Sequence, residues 1–119
     1  MGSLRQILQG LTVFLRKEIM VDKKKTVILV YEGEIDKNST LFNLFYNCTK
    51  SNDLLRVRGE ISLNEVIDQF FPGFIHPRRY SYRWGWNYAK HGCIDAVYIT
   101  NPVNPKVGYI KFVAYDIVG

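Results

Sequence analysis

The sequence has little of what most catalytic sites are built from. Among 119 residues there are two histidines, His76 and His91, and two cysteines, Cys48 and Cys93. Two cysteines do not make a disulfide framework, so the chain reads as one with reduced thiols and an expected intracellular location. A zinc site from Cys48, Cys93, His76 and His91 has no ligand spacing behind it. His91 and Cys93 could share a strand face as an imidazole–thiolate pair, but no cysteine-nucleophile signature surrounds them. There is no GxGxxG, no P-loop and no HExxH. A replication-initiator nuclease wants two histidines one residue apart, and His76 stands alone beside Pro77. No apolar run approaches the roughly 18 residues of a membrane span. The apolar stretch near the N-terminus is broken by Gln9 and Gly10 and shows no small-residue cleavage site. Gln6 stands where myristoylation of Gly2 would want Ser or Thr. With no secretory signal in view, the sequons Asn38-Ser39-Thr40 and Asn47-Cys48-Thr49 read as chance matches. Repeats, linkers and low-complexity segments are missing too. The expectation is a non-enzyme with no metal, no cofactor, no membrane contact and no small-molecule substrate.

What is present is ordinary globular material with an aromatic and basic bias. Hydrophobic residues make up 47% and charged residues 23%, which fits one folded domain over residues 1–119. Residues 1–22 form an amphipathic N-terminal segment, and residues 23–119 a β-rich core. Aromatic content is 14%, with eight Tyr and seven Phe, and such rings favour strands. The net charge of +5 is compatible with a polyanionic partner.

One stretch stands out. Arg79 to Tyr88 places an aromatic residue at every second position: Tyr80, Tyr82, Trp84, Trp86 and Tyr88. A strand sends alternate side chains to one face, so the spacing predicts a single aromatic face. A helix would scatter the same rings around its axis. Whether that face turns to the core or to a partner stays open. If inward, the rings fill a sheet core. If outward, they stack on unpaired bases while neighbouring cations follow the phosphates.

Along the rest of the chain, Leu4, Ile7, Leu8, Leu11, Phe14, Leu15 and Ile19 share a helical stripe, so the period predicts an amphipathic helix over Ser3 to Met20. Ser3 is its possible N-cap. The competing reading is a strand, because Leu11 to Leu15 is β-rich and Gly10 weakens a helix. Lys23, Lys24 and Lys25 form a basic knot, either a solvated turn or a phosphate contact. Thr26 to Glu32 predicts a central strand covered on both faces. Leu41 to Cys48 suits a short helix. Leu54 to Ile61 alternates and predicts a half-exposed strand with Arg56 and Arg58 on its open side. Ser62 with Glu65 three residues on is a capping box, predicting a helix over Ser62 to Phe71. Cys93 to Thr100 and Lys106 to Val118 predict two further strands. The last of these approaches the RNP1 signature of RNA-recognition motifs but carries one inserted residue, which would put its rings on the wrong face.

The order of these segments resembles the coat proteins of geminiviruses, plant single-stranded DNA viruses. The resemblance is carried by Val27-Ile-Leu-Val-Tyr followed by Phe42-Asn-Leu-Phe-Tyr-Asn47, and by Asn52-Asp-Leu-Leu-Arg-Val-Arg58. It continues through Ala96-Val-Tyr-Ile with Asn101-Pro102, and closes on Gly108-Tyr-Ile-Lys-Phe-Val-Ala-Tyr-Asp116. It spans most of residues 25–118. It implies a jelly-roll sandwich that assembles into a shell and contacts single-stranded DNA. The family's long basic N-terminal arm has no counterpart here beyond Lys23 to Lys25.

The expected fold is therefore mainly β, a compact antiparallel jelly-roll-like sandwich with one or two short helices. The alternative is an α+β domain with the N-terminal helix packed on an antiparallel sheet. The expected function is a non-enzymatic, capsid-like viral structural protein that self-associates as a homo-oligomer. It would contact single-stranded nucleic acid through Lys23, Lys24, Lys25, Arg56, Arg58, Arg78, Arg79 and Arg83. The alternative function is a small viral accessory protein acting by protein–protein interaction through the Ser3 to Met20 stripe.

Overall fold

The computed structural model describes residues 6–8, 11–33, 37–71, 80–101, 103–104 and 106–118. Its centre is β3 (Lys24–Gly33), the strand expected from the apolar run after the lysines. β3 pairs antiparallel with β2 (Leu11–Val21) on one side and with β7 (Val107–Asp116) on the other. Beyond β2 lies the short β1 (Gln6–Leu8). The far edge of β7 is shared end to end. β6 (Val97–Thr100) pairs with its first half, and β5 (Trp84–Asn87) with its end. β4 (Glu60–Ser62) then pairs with β5. Together the strands make one open antiparallel sheet of seven strands.

The expectation of a mainly β chain holds, with strand residues outnumbering helical ones among those described. Where a sandwich has its second sheet, the inner face here is covered by helices. α1 (Lys37–Arg58) and α2 (Leu63–Phe70) supply Leu44, Leu55, Leu63, Val66, Ile67 and Phe70 to one buried cluster. The sheet contributes Val27, Leu29 and Tyr31 from β3, and Ile110, Phe112 and Ala114 from β7. These residues alternate along their strands, as a half-buried sheet requires. Phe70 meets Phe112 edge to face, with ring centroids 4.9 Å apart.

The helix expected over residues 3–20 is corrected to strands over residues 6–8 and 11–20, and its remaining positions lie outside the described residues. β2 runs beside β3 through ten residue pairs, which gives its backbone groups on that side partners. The strand carries one bulge. The register slips between Leu15 and Lys17, leaving Arg16 as the extra residue. Val13 and Leu15 face the core before the slip, and Glu18 pairs with the inward Val27 after it. The helix-on-sheet alternative gains helices on the sheet, but they are α1 and α2.

A second correction concerns Leu54 to Ile61. Leu54 to Arg58 completes α1, and only Glu60–Ser62 is strand. The buried stripe of α1 is Leu44, Cys48, Ser51 and Leu55, half of it small or polar, so hydrophobic spacing understates it. Gly59 ends the helix at φ 84, a left-handed conformation open to glycine, and its N–H donates to the Leu55 carbonyl at 2.7 Å. α2 begins as the capping box predicts. The Ser62 hydroxyl accepts from the Glu65 N–H at 3.2 Å, and the Glu65 carboxylate accepts from Ser62 in return.

The aromatic strand is shorter than its alternation implies. Only Trp84 to Asn87 is strand, and Tyr88 opens the short helix α3 (Tyr88–His91). Polar side chains cut it at both ends. Ser81 Oγ accepts from the Arg83 N–H and turns the chain at Tyr82. Asn87 caps α3 by accepting from the Lys90 N–H at 3.0 Å. Trp84 and Trp86 face inward at 8% and 2% exposure, with Tyr80 buried beside them. Tyr82, at 71%, and Tyr88, at 40%, stay in solvent. The inward reading of the face holds for three of the five rings. β5 also lies close against β4: a Cβ on Gly85 would meet the Ile61 carbonyl and come within 2.9 Å of Ser62 Cα.

Candidate functional site

The β2–β3 hairpin turns through Asp22 and Lys23, with Asp22 in the left-handed region at φ 56. Aspartate tolerates that conformation better than most residues. The turn projects Lys23 and Lys24 beside the end of β7, where Lys24 is paired in register with Tyr115. The Asp116 N–H donates to the Lys23 carbonyl at 3.0 Å and ties the hairpin to that end. Against it sits α3, whose His91 imidazole stacks on the Tyr115 ring at 4.0 Å and 6° between planes. Lys24 Nζ lies 5.7 Å from the centroid of the same ring, a cation–π arrangement. Asp22, Lys23, Lys24, His91, Tyr115 and Asp116 together line an open hollow of about 680 Å³.

Neighbours set the electrostatics of the hollow. Asp116 is neutralised by Arg83, whose Nη2 and Nε donate to Oδ2 at 2.7 and 3.2 Å. Lys90 stands exposed on α3 next to His91. Counting Lys23, Lys24, Arg83 and Lys90 against Asp22 and Asp116, the region is cationic. Burial, with help from Lys90, holds the His91 pKa below the ordinary histidine value, which favours the neutral ring. Its Nδ1 accepts from the Asn87 N–H at 3.0 Å, which leaves the proton on Nε2 as a donor. The hollow therefore offers two ammonium groups, an imidazole N–H and a stacked ring pair. That set suits an anion attached to something flat and aromatic.

The expected site residues scatter around this hollow. Lys23 and Lys24 line it. Lys25 points to the opposite sheet face. Its Nζ donates to Glu18 Oε1 at 3.2 Å and lies 4.9 Å from the ring centroids of both Tyr80 and Trp84. With its side chain only 14% exposed, Lys25 serves the fold and is removed from the phosphate-contact set. Arg83 flanks the hollow through Asp116. Arg56, on the last turn of α1, bonds Asp53 and Cys93 and also reaches Tyr88, the first residue of α3. Arg58 is committed to both oxygens of Glu65 on α2, and this bond holds the carboxyl below the usual carboxylate range. Arg78 and Arg79 lie outside the described residues. The supposed His91–Cys93 pair does not form: His91 turns to Tyr115, whereas Cys93 turns to Arg56. Cys48, half-buried on α1, has its thiol pKa pushed up by burial. Among the described residues no group of three or more His, Cys, Asp and Glu gathers as a metal site. No described helix is long and apolar enough to cross a membrane.

Sequence reasoning missed the pairing of His91 with Tyr115 and the short helix α3 that carries it. The signal for α3 was Asn87, a strong N-cap type, three residues before Lys90. Nothing local links His91 to Tyr115, because sheet register alone brings them together. No protein-family model, curated protein or solved structure matches the chain.

Proposed function

We propose that the chain is a non-enzymatic structural protein that self-associates and contacts single-stranded nucleic acid through the hollow of Lys23, Lys24 and His91. One observation carries this reading: exposed cations converge there on a stacked ring pair. Lysines meet phosphates as point charges, while rings accept bases of any sequence. Two solvent-facing rings extend the surface, Tyr82 beside Arg83 and Tyr88 beside Arg56. Strand binding of this kind needs both elements, charge for the backbone and rings for the bases. The resemblance to geminivirus coat proteins adds the viral, capsid-like setting and makes single-stranded DNA the first nucleic acid to try. In its jelly-roll form that resemblance asks for a second sheet facing the first. Support here comes from the binding surface and not from a sandwich.

The test is a salt titration. Binding of a fluorescent single-stranded oligonucleotide is measured by anisotropy between 50 and 300 mM salt. Each lost phosphate contact reduces the slope of log affinity against log salt by about 0.7 for a single strand. The variant Lys23→Ala/Lys24→Ala/Lys90→Ala is expected to bind more weakly and to lose about 2 from that slope. Equal slopes for the variant and the parent protein would remove the phosphate-contact role of this hollow.

The protein–protein alternative loses its expected docking stripe, since residues 6–8 and 11–21 are strands of the main sheet. A different surface supports association, on α1 and β6.

A further inference from the structure

We infer that the free edge of β6 and the aromatic strip of α1 beside it form a two-fold interface with a second copy of this chain. The inference rests on the self-association part of the function proposed above and names its surface. β6 bonds β7 on one side, and among the described residues no strand pairs with its other side. Unpaired strand edges template further pairing unless they are short, charged, bulged or interrupted by proline. The opposite margin of the sheet has such protection: β2 carries its bulge at Arg16 and the charge of Lys17. β6, Val-Tyr-Ile-Thr, has no charge, proline or bulge, and Val97 and Ile99 are 39% and 45% exposed.

α1 runs along the same margin. Asn52 grips the segment before β6, accepting from the Ile94 N–H at 2.7 Å and donating to the Ile94 carbonyl at 3.2 Å. Farther along, the Phe45 ring stacks on Tyr98 of β6 at 6.4 Å. Yet Phe45 remains 68% exposed, with Phe42 at 70% and Tyr46 at 57%. Helical spacing puts the three on one side of α1, next to the β6 edge.

Area and charge favour a second copy as the occupant. Aromatic side chains carry about 150–250 Å² each, so the three present roughly 400 Å² per chain. Two copies facing each other would bury roughly 800 Å² from these rings. Pairing of the β6 edges with Val97 and Ile99 brings the total near the 1,200 Å² at which specific interfaces begin. An antiparallel strand edge is self-complementary about a two-fold axis, as a closed dimer requires. The strip has Asn43 and Thr49 among the rings and Lys50 at its margin, its Nζ 5.7 Å from the Tyr46 centroid. An almost uncharged strip lets two chains of net charge +5 approach, and offers an acidic partner little to recognise.

The experiment compares the full chain with Phe42→Glu/Tyr46→Glu by sedimentation equilibrium from 1 to 100 µM. Hydrogen exchange of residues 97–100 and oligonucleotide binding are followed in parallel. The parent protein is expected as a dimer. The variant should show a dissociation constant raised at least a hundredfold and faster exchange at β6. If the double variant loses its circular-dichroism signature, the single change Tyr46→Arg is used, with at least a tenfold rise expected. A parent protein that stays monomeric at 100 µM overturns the interface, as does a dimer indifferent to these substitutions. Oligonucleotide binding that survives either result shows the interface wrong while the nucleic-acid surface stands.

Discussion

Trp86→Ala is expected to lower the unfolding free energy by about 3–5 kcal/mol, the usual cost of emptying a large aromatic site in a packed core. Trp86 is 2% exposed and pairs across β5 with Ile61 of β4, itself 1% exposed. Removing the indole opens a cavity bounded by two short strands. β4 has three residues and β5 four, so neither can close over it without losing its partner. Stability of an ordinary domain totals about 5–15 kcal/mol, so the variant should unfold far earlier in urea and have little margin at 37 °C. Tyr82→Ala is the matched control. Its ring is 71% exposed at the turn before β5, and its loss should shift stability by no more than about 0.5 kcal/mol. Urea titration by circular dichroism reads both. Similar effects for the two rings would contradict the inward placement of β5.

Asn64→Ala should be nearly as damaging, although no ring or charge is removed. The buried Asn64 side chain donates to the Tyr80 carbonyl at 2.7 Å and accepts from the Tyr80 N–H at 3.0 Å, standing in for a neighbouring strand. Alanine leaves both backbone groups buried without those partners. Each unsatisfied group costs about 1–3 kcal/mol, so a loss of about 2–4 kcal/mol is expected. The consequence spreads beyond α2. Tyr80 donates its hydroxyl to Glu18 Oε2 at 3.2 Å, and Glu18 accepts from Lys25 on β3. A loosened Tyr80 therefore exposes an ion pair that is otherwise part-buried under Tyr80 and Trp84. Thermal melts check the magnitude, with a fall in Tm on the order of 10 °C expected. An unchanged Tm would mean that water replaces the amide and that Tyr80 needs no anchor.

What could be read from the sequence follows from where its periodicity is clean. β3 was legible because its apolar run meets no interruption, β7 because its buried residues alternate without a slip, and α2 because Ser62 and Glu65 mark its start chemically. β2 was not, since Leu11, Phe14, Leu15 and Ile19 happen to fall at helical spacing. The second half of α1 was missed because its buried stripe includes Cys48 and Ser51, while Leu55, Val57, Gly59 and Ile61 happen to alternate. The aromatic stripe was visible, but its division was not. Ser81 and Asn87 bond nearby backbone groups, and those local bonds outweigh the strand pattern at both ends. For the site, Lys23 and Lys24 were legible as a basic turn. The withdrawal of Lys25 was hidden, because strand alternation separates it from its neighbours only once β3 is known to start at Lys24. The meeting of His91 with Tyr115 depends on the register between β3, β5 and β7, which no local pattern encodes.

The most direct measurement of the central claim is amide-shift mapping by NMR, as a twelve-nucleotide oligothymidine is added to the labelled protein at low salt. Contact at the hollow predicts the largest shifts at residues 22–24, 82–83, 88–91 and 115–116, saturating together and reversing on addition of salt. Shifts confined to α1 and β6, or no shifts at all, would contradict a nucleic-acid surface built on Lys23, Lys24 and His91.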